Sequence, residues 1–171
     1  MRSMSRRTYK LAPSTVSLTD ALSSFQGVED LREQMNEWRE NMEGASMEHM
    51  PKYEEVQECC ETLDCYDELE TSANELETLV DGLKVRGPSG GRVLLTAANI
   101  TTTDMVPYKG RGEPRWMTLS NSITPVQAAC QYIEEHVDED DSEQHAEVLA
   151  TARAITDLCE QLEGAEFPGM F

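Results

Sequence analysis

Apolar residues return every third or fourth position through most of this chain, a period that suits helices and not strands. Val28, Leu31, Met35, Trp38 and Met42 step by three, four, three and four. Gly27 precedes that stripe and Gly44 follows it, where a glycine C-cap is expected. Glu29, Glu33, Glu37 and Glu40 occupy the opposite face. A second block, Pro51 to Val80, contains no internal Gly or Pro; Pro51 suits a first helical position and Gly82 the residue past the end. Its stripe (Tyr53, Val56, Cys60, Leu63, then Tyr66, Leu69, Ala73, Leu76, Val80) changes phase around Leu63, which favours a break near Asp64 over one continuous helix. Upstream, Ser17-Leu-Thr-Asp20 reads as the start of a short helical turn through Phe25.

The C-terminal part repeats the pattern. Thr124-Pro125 reads as an N-cap followed by proline, opening a stripe of Val126, Cys130, Ile133 and Val137. Val148, Ala152, Ile155, Cys159 and Leu162 form the next stripe, closed by Gly164, with Asp138–Ser142 as an acidic turn. Between the helical halves, Gly87-Pro-Ser-Gly-Gly91 is a turn signal. Arg92–Ala97 and Pro114–Leu119 are rich in strand formers and flank a loop with exposed basic residues, which suggests a small β-hairpin or extended arm. The expected fold is mainly α, a helical bundle of four to six helices with a short inserted β-hairpin or extended arm. Its parts are a basic N-terminal tail (1–16), an acidic helical half (17–83), a basic hairpin or arm (84–123), a helical hairpin (124–164) and an apolar tail (165–171).

Charge follows the same division. The 171 residues carry 33 acidic and 14 basic side chains, a net −19. Residues 28–83 hold eighteen acids and three bases, and residues 117–171 hold twelve acids and one base. The stretches 1–27 and 84–116 are mildly basic, at +3 and +4. Such a chain is repelled by anionic lipid and by bare nucleic acid, so neither is expected as a direct partner. No apolar run approaches the roughly 20 residues of a membrane span. Residues 1–10 are basic without the apolar stretch of a signal peptide. Five cysteines sit within helical patterns, Cys60 in a core stripe and Cys59 at its margin. Free thiols in a reducing compartment, hence a cytoplasmic location, are the expectation.

Sites of chemistry are harder to find. His136, Asp138, Glu139, Asp140, Asp141 and His145 offer metal ligands within ten residues, but an EF-hand loop from Asp138 would need Gly and Glu where Glu143 and Leu149 stand. Structural zinc sites pair cysteines two to four residues apart across turns, whereas the adjacent Cys59 and Cys60 lie in a helical stripe and point about 100° apart, so with Cys65 and His49 they make a weak zinc group. No Gly-x-Ser-x-Gly elbow is present, and the glycine-rich turn lacks the Gly-Lys-Ser/Thr ending of a phosphate loop. The expectation is a protein that is not an enzyme and takes no cofactor or metal.

The acidic faces are the remaining signal. Glutamates three and four apart on a helix repel one another by a few tenths of a kcal/mol per pair. Solubility accounts for such faces as readily as binding does. Rigid carboxylate rows also imitate a phosphate line and draw in a partner with a basic surface. The candidate binding residues are Glu29, Glu33, Glu37 and Glu40 of the row, Lys109 and Arg111 of the loop, and the anchors Tyr108, Trp116, Phe167 and Phe171. The apolar tail could equally dock back on the fold, and the stripes could serve a homo-oligomer as well as an internal core.

The stretch Leu31-Arg-Glu-Gln-Met-Asn-Glu-Trp-Arg-Glu-Asn-Met42, followed by Tyr53-Glu-Glu-Val56, resembles small acidic helical accessory proteins encoded by bacteriophages and mobile elements. The resemblance implies an accessory or host-directed binding role. The functional expectation is an acidic protein-binding protein, in its sharpest form an inhibitor that occupies the nucleic-acid-binding surface of a host protein. The alternative is an assembly subunit of a virion or large complex, locked to its neighbours through the basic arm and apolar tail.

Overall fold

The chain folds around helices whose buried faces are the stripes described above. The structure is a computed structural model, and it describes residues 14–86, 91–95, 99–102 and 114–168. In chain order these form β1 (Ser14–Ser17), α1 (Leu18–Ser23), a 3₁₀ turn (Ser24–Gln26), α2 (Gly27–Gly44), α3 (Pro51–Leu63) and α4 (Tyr66–Leu79). They continue through β2 (Lys84–Arg86), β3 (Arg92–Leu94), β4 (Asn99–Thr102), α5 (Arg115–His136) and α6 (Glu143–Glu163). The protein is mainly helical.

Local chemistry explains most of the boundaries. Ser17 caps α1, its Oγ accepting from the Asp20 amide at 3.2 Å. Pro51 stands in the first turn of α3, where a missing N–H costs nothing. The phase change around Leu63 is a break, as its spacing predicts: α3 ends at Leu63 and α4 begins at Tyr66. Each segment thereby keeps its stripe inward, and Val56, Cys60, Leu63, Tyr66, Leu69 and Leu76 are all buried.

The end of α2 departs from expectation. Gly44 is still helical, and the left-handed residue is Ser46 at φ 55°. Met47 N–H donates to Met42 O at 2.8 Å and Ser46 N–H to Glu43 O at 3.1 Å. That pair of bonds is a Schellman closure with serine in the seat glycine favours. The expected placement of Cys59 at the margin is also corrected: it is 2% exposed, because the α3 face that meets its neighbours is wide enough to take both adjacent cysteines.

The largest correction concerns residues 114–125. Arg115–Leu119 is the first turn of α5 and not a strand, and Thr124 is mid-helix and not an N-cap. The buried stripe starts earlier than expected, with Leu119, Ile123, Val126, Cys130, Ile133 and Val137 stepping by four, three, four, three and four. That periodic burial overrides the local strand preference of Trp116 and Thr118. Pro125 lies inside the helix and is buried. Its missing N–H and ring would break an isolated helix by about 3 kcal/mol. Around it, Ser122 Oγ donates to Thr118 O at 2.7 Å and Thr124 Oγ1 to Ser120 O at 2.6 Å, while Ser24 Oγ reaches Ser122 O at 3.2 Å.

The strands pair differently from the expected hairpin. β2 and β3 are antiparallel, with Lys84 opposite Leu94 and Arg86 opposite Arg92, and the ladder is extended by Leu95 N–H to Leu83 O at 2.8 Å. β4 pairs with β1, Ser14 opposite Thr102 and Ser17 opposite Asn99. Helix α5 packs on α6 and also against α1, α2, β4 and the 3₁₀ turn.

Candidate functional site

Of the expected binding row, all but the first residue are exposed. Helix α2 rises about 1.5 Å per residue, so Glu29 to Glu40 spans roughly 16 Å. Glu33, Glu37 and Glu40 face solvent. Glu29 is half-buried, and its carboxylate accepts from Tyr66 Oη at 3.2 Å. Beyond the row, Glu43 accepts from Tyr53 Oη at 2.6 Å. Two tyrosines thus tie the ends of the α2 acidic face to α4 and α3. Arg32 adds a clamp, donating to Asp67 at 2.8 Å while its guanidinium lies 5.1 Å from the Tyr66 ring centre. Burial first, then the charges of Glu70 and Glu29, push the Tyr66 hydroxyl up to about 12, so it stays a donor.

The exposed row borders a cleft of about 310 Å³ between α2 and the start of α5, lined by Gln34, Glu37, Trp38, Asn41 and Arg115. Trp38 is half-buried against the core, and the Arg115 guanidinium sits 5.5 Å from its ring centre while Arg115 Nε donates to Gln34 Oε1 at 3.2 Å. The next residue, Trp116, is 57% exposed. Tryptophan is among the residue types that dominate interfaces. Sequence reasoning singled out Trp116 and Glu37 but not Gln34, Asn41 or Arg115, whose nearness to Glu37 depends on α5 beginning at Arg115.

Phe167 packs against the edge of the core, the first of the two placements open to the tail. With Cys59, Glu55, Glu58 and Glu166 it lines a second, carboxylate-rich cleft of about 340 Å³. Tyr108, Lys109, Arg111 and Phe171 lie outside the described residues.

Neither sequence-level ligand group is gathered into one place. His145 has Nδ1 2.7 Å from Ser142 Oγ and Nε2 3.3 Å from Lys84 O, holding the start of α6 to β2. His136 stacks on Tyr132 at 4.0 Å. Among the described residues, no three His, Cys, Asp or Glu side chains converge as they would around a metal ion. All five thiols are free, and burial raises each of them, Cys59 and Cys130 to about 12. A thiol so shifted is protonated at neutral pH and a poor nucleophile. No helix among the described residues is long and apolar enough to cross a membrane. No family model, curated protein or solved structure matches this chain.

Proposed function

We propose that this is a non-enzymatic, cytoplasmic protein that binds a partner through the acidic face of α2, occupying a basic surface that the partner otherwise offers to nucleic acid. The observation that carries the reading is the exposed row Glu33, Glu37 and Glu40 beside the Trp38–Arg115 cleft and the open Trp116 indole. The row supplies long-range attraction and the aromatic edge supplies desolvated contact. One-to-one pairing of all 14 bases would still leave 19 carboxylates without a cation, so the field is strongly negative however the side chains arrange. The resemblance to phage and mobile-element accessory proteins agrees with a host-directed inhibitor.

The test is capture from a host lysate by the wild type and by Glu33→Lys/Glu37→Lys/Glu40→Lys, with and without competing duplex DNA. The expected result is a nucleic-acid-binding protein that is displaced by DNA, weakens as salt rises and loses at least tenfold in affinity for the variant. Circular dichroism should show the helical fold retained. Equal capture by the variant would defeat the reading. Salt-resistant recovery of structural proteins would favour the assembly-subunit alternative.

A further inference from the structure

Four large apolar side chains stand more than a third exposed among the described residues: Met47 (37%), Met50 (39%), Leu94 and Trp116. Both methionines fall in the short turn between α2 and α3, on either side of the exposed His49. The backbone there is held in place. Ser46 takes its left-handed conformation, Met47 N–H bonds Met42 O at 2.8 Å, and Met50 N–H bonds Met47 O at 3.0 Å. The last bond closes a four-residue turn, which keeps the Cα atoms of 47 and 50 within about 7 Å. Two rotatable bonds place a methionine sulfur and a third, the C–S bond, turns its lone pairs, so two thioethers on such a turn can reach one point, with the imidazole between them.

We propose that Met47-Glu48-His49-Met50 is a binding site for Cu(I), with the sulfurs of Met47 and Met50 and one imidazole nitrogen of His49 as its three ligands. Thioethers select soft monovalent ions and are poor donors to Zn(II), Mg(II) or Ca(II). The turn gathers no trio of His, Cys, Asp or Glu, so it lacks the donor set those harder ions use. The negative field of the chain, with Glu43 and Glu48 nearest in sequence, favours any cation. The chain's own thiols are the obvious rivals. Cys59, Cys60, Cys130 and Cys159 are buried, and Cys65 is half-buried with its thiol directed at Leu158 O. A thiol must lose its proton to bind metal, and burial opposes that here, whereas a thioether has no proton to lose.

The experiment uses the full chain with ¹³C-labelled methionine methyls, titrated with Cu(I) under reducing, anaerobic conditions and, separately, with Ag(I) and Zn(II). The methyl signals of Met47 and Met50 and the ring signals of His49 should move together and saturate at one equivalent of Cu(I) or Ag(I). Those of the buried Met35, Met42 and Met117 should stay in place, and Zn(II) should leave the Met47 and Met50 methyls unmoved. Met47→Leu/Met50→Leu keeps the size of both side chains and should weaken Cu(I) at least tenfold without altering the circular dichroism. His49→Met should keep more of the Cu(I) affinity than His49→Ala. The proposal is overturned if the first equivalent titrates thiols while the Met47 and Met50 methyls stand still, or if the double leucine variant binds as tightly as the wild type.

Discussion

At the scale of single residues, two positions constrain the backbone in opposite ways. Gly27 opens α2 against α5, and a Cβ built there would collide with Ser122 Oγ. That hydroxyl is already committed to Thr118 O, so it cannot swing aside without losing a bond. Gly27→Ala should therefore destabilise the protein by about 1–2 kcal/mol despite the better helix propensity of alanine. Adding Ser122→Ala should recover most of the loss, and a double-mutant cycle from urea melts reads the coupling directly. Additive effects would mean the two positions do not touch. Ser46 is the opposite case, a residue with a Cβ in a left-handed seat. Ser46→Gly should stabilise by about 0.5–1 kcal/mol, seen as a higher urea midpoint with an unchanged slope. The sequence signals for these sites were uneven. Gly27 and Gly44 both looked like punctuation, yet one is a packing contact and the other an ordinary helical residue.

At the scale of elements, the capped start of α1 at Ser17 was legible, the cap of α6 stood within what read as an acidic turn, and a helix started by packing was not legible. Ser142 caps α6 by accepting from the His145 amide at 3.2 Å, and its hydroxyl also lies 2.7 Å from the His145 ring. Ser142→Ala should cost about 1 kcal/mol and speed amide exchange in the first turn of α6, with the later turns unaffected. Uniform exchange along α6 would show that the cap carries nothing. Helix α5 begins instead at Arg115, with Pro114 in the cap position and no side-chain cap bond, and passes through Pro125. Read locally, Thr124-Pro125 is a strong start signal. Only the burial of Leu119 and Ile123 against neighbouring elements shows that the helix has already run through two turns there. The candidate site inherits the same ambiguity: the cleft exists because Arg115 is helical and reaches back to Gln34 and Trp38.

At the scale of the whole molecule, burial has moved all five thiols and the Tyr66 hydroxyl in one direction, upward, while Tyr53 rises chiefly through its hydrogen bond to Glu43. Cys59 and Cys130 rise from 9.0 to about 12 and Tyr66 from 10.0 to about 12. Each group keeps its proton in the fold at a pH where the unfolded chain has released it. Their stabilisation is therefore complete below about pH 9 and is lost as pH climbs toward 12. The slope is up to roughly 1.4 kcal/mol per pH unit for each titrating group. Urea midpoints measured from pH 7 to 11 should hold level and then fall steeply, and Cys130→Ala should make the fall shallower. A midpoint that stays level through pH 10.5 would mean these groups are solvated in the native state. The charge-reversal test of the α2 row belongs to this scale too, because the proposed binding would draw on the summed field as well as on local contacts.

By itself, the sequence determined the helical class, the break between α3 and α4, the αα-hairpin of α5 and α6 with its acidic turn, and the surplus of carboxylates. Each of these is written in residues three or four apart, or in a simple count, and needs no knowledge of what lies across the core. Tertiary structure alone decided the rest. β1 finds its partner β4 more than eighty residues away, a pairing no local period encodes. Pro125 is admitted to a helix because the burial of its neighbours outweighs the lost backbone bond. Glu29 leaves the exposed row because Tyr66, thirty-seven residues on, needs an acceptor as its ring enters the core. Periodicity specifies which face of an element turns inward, and only packing specifies what that face meets.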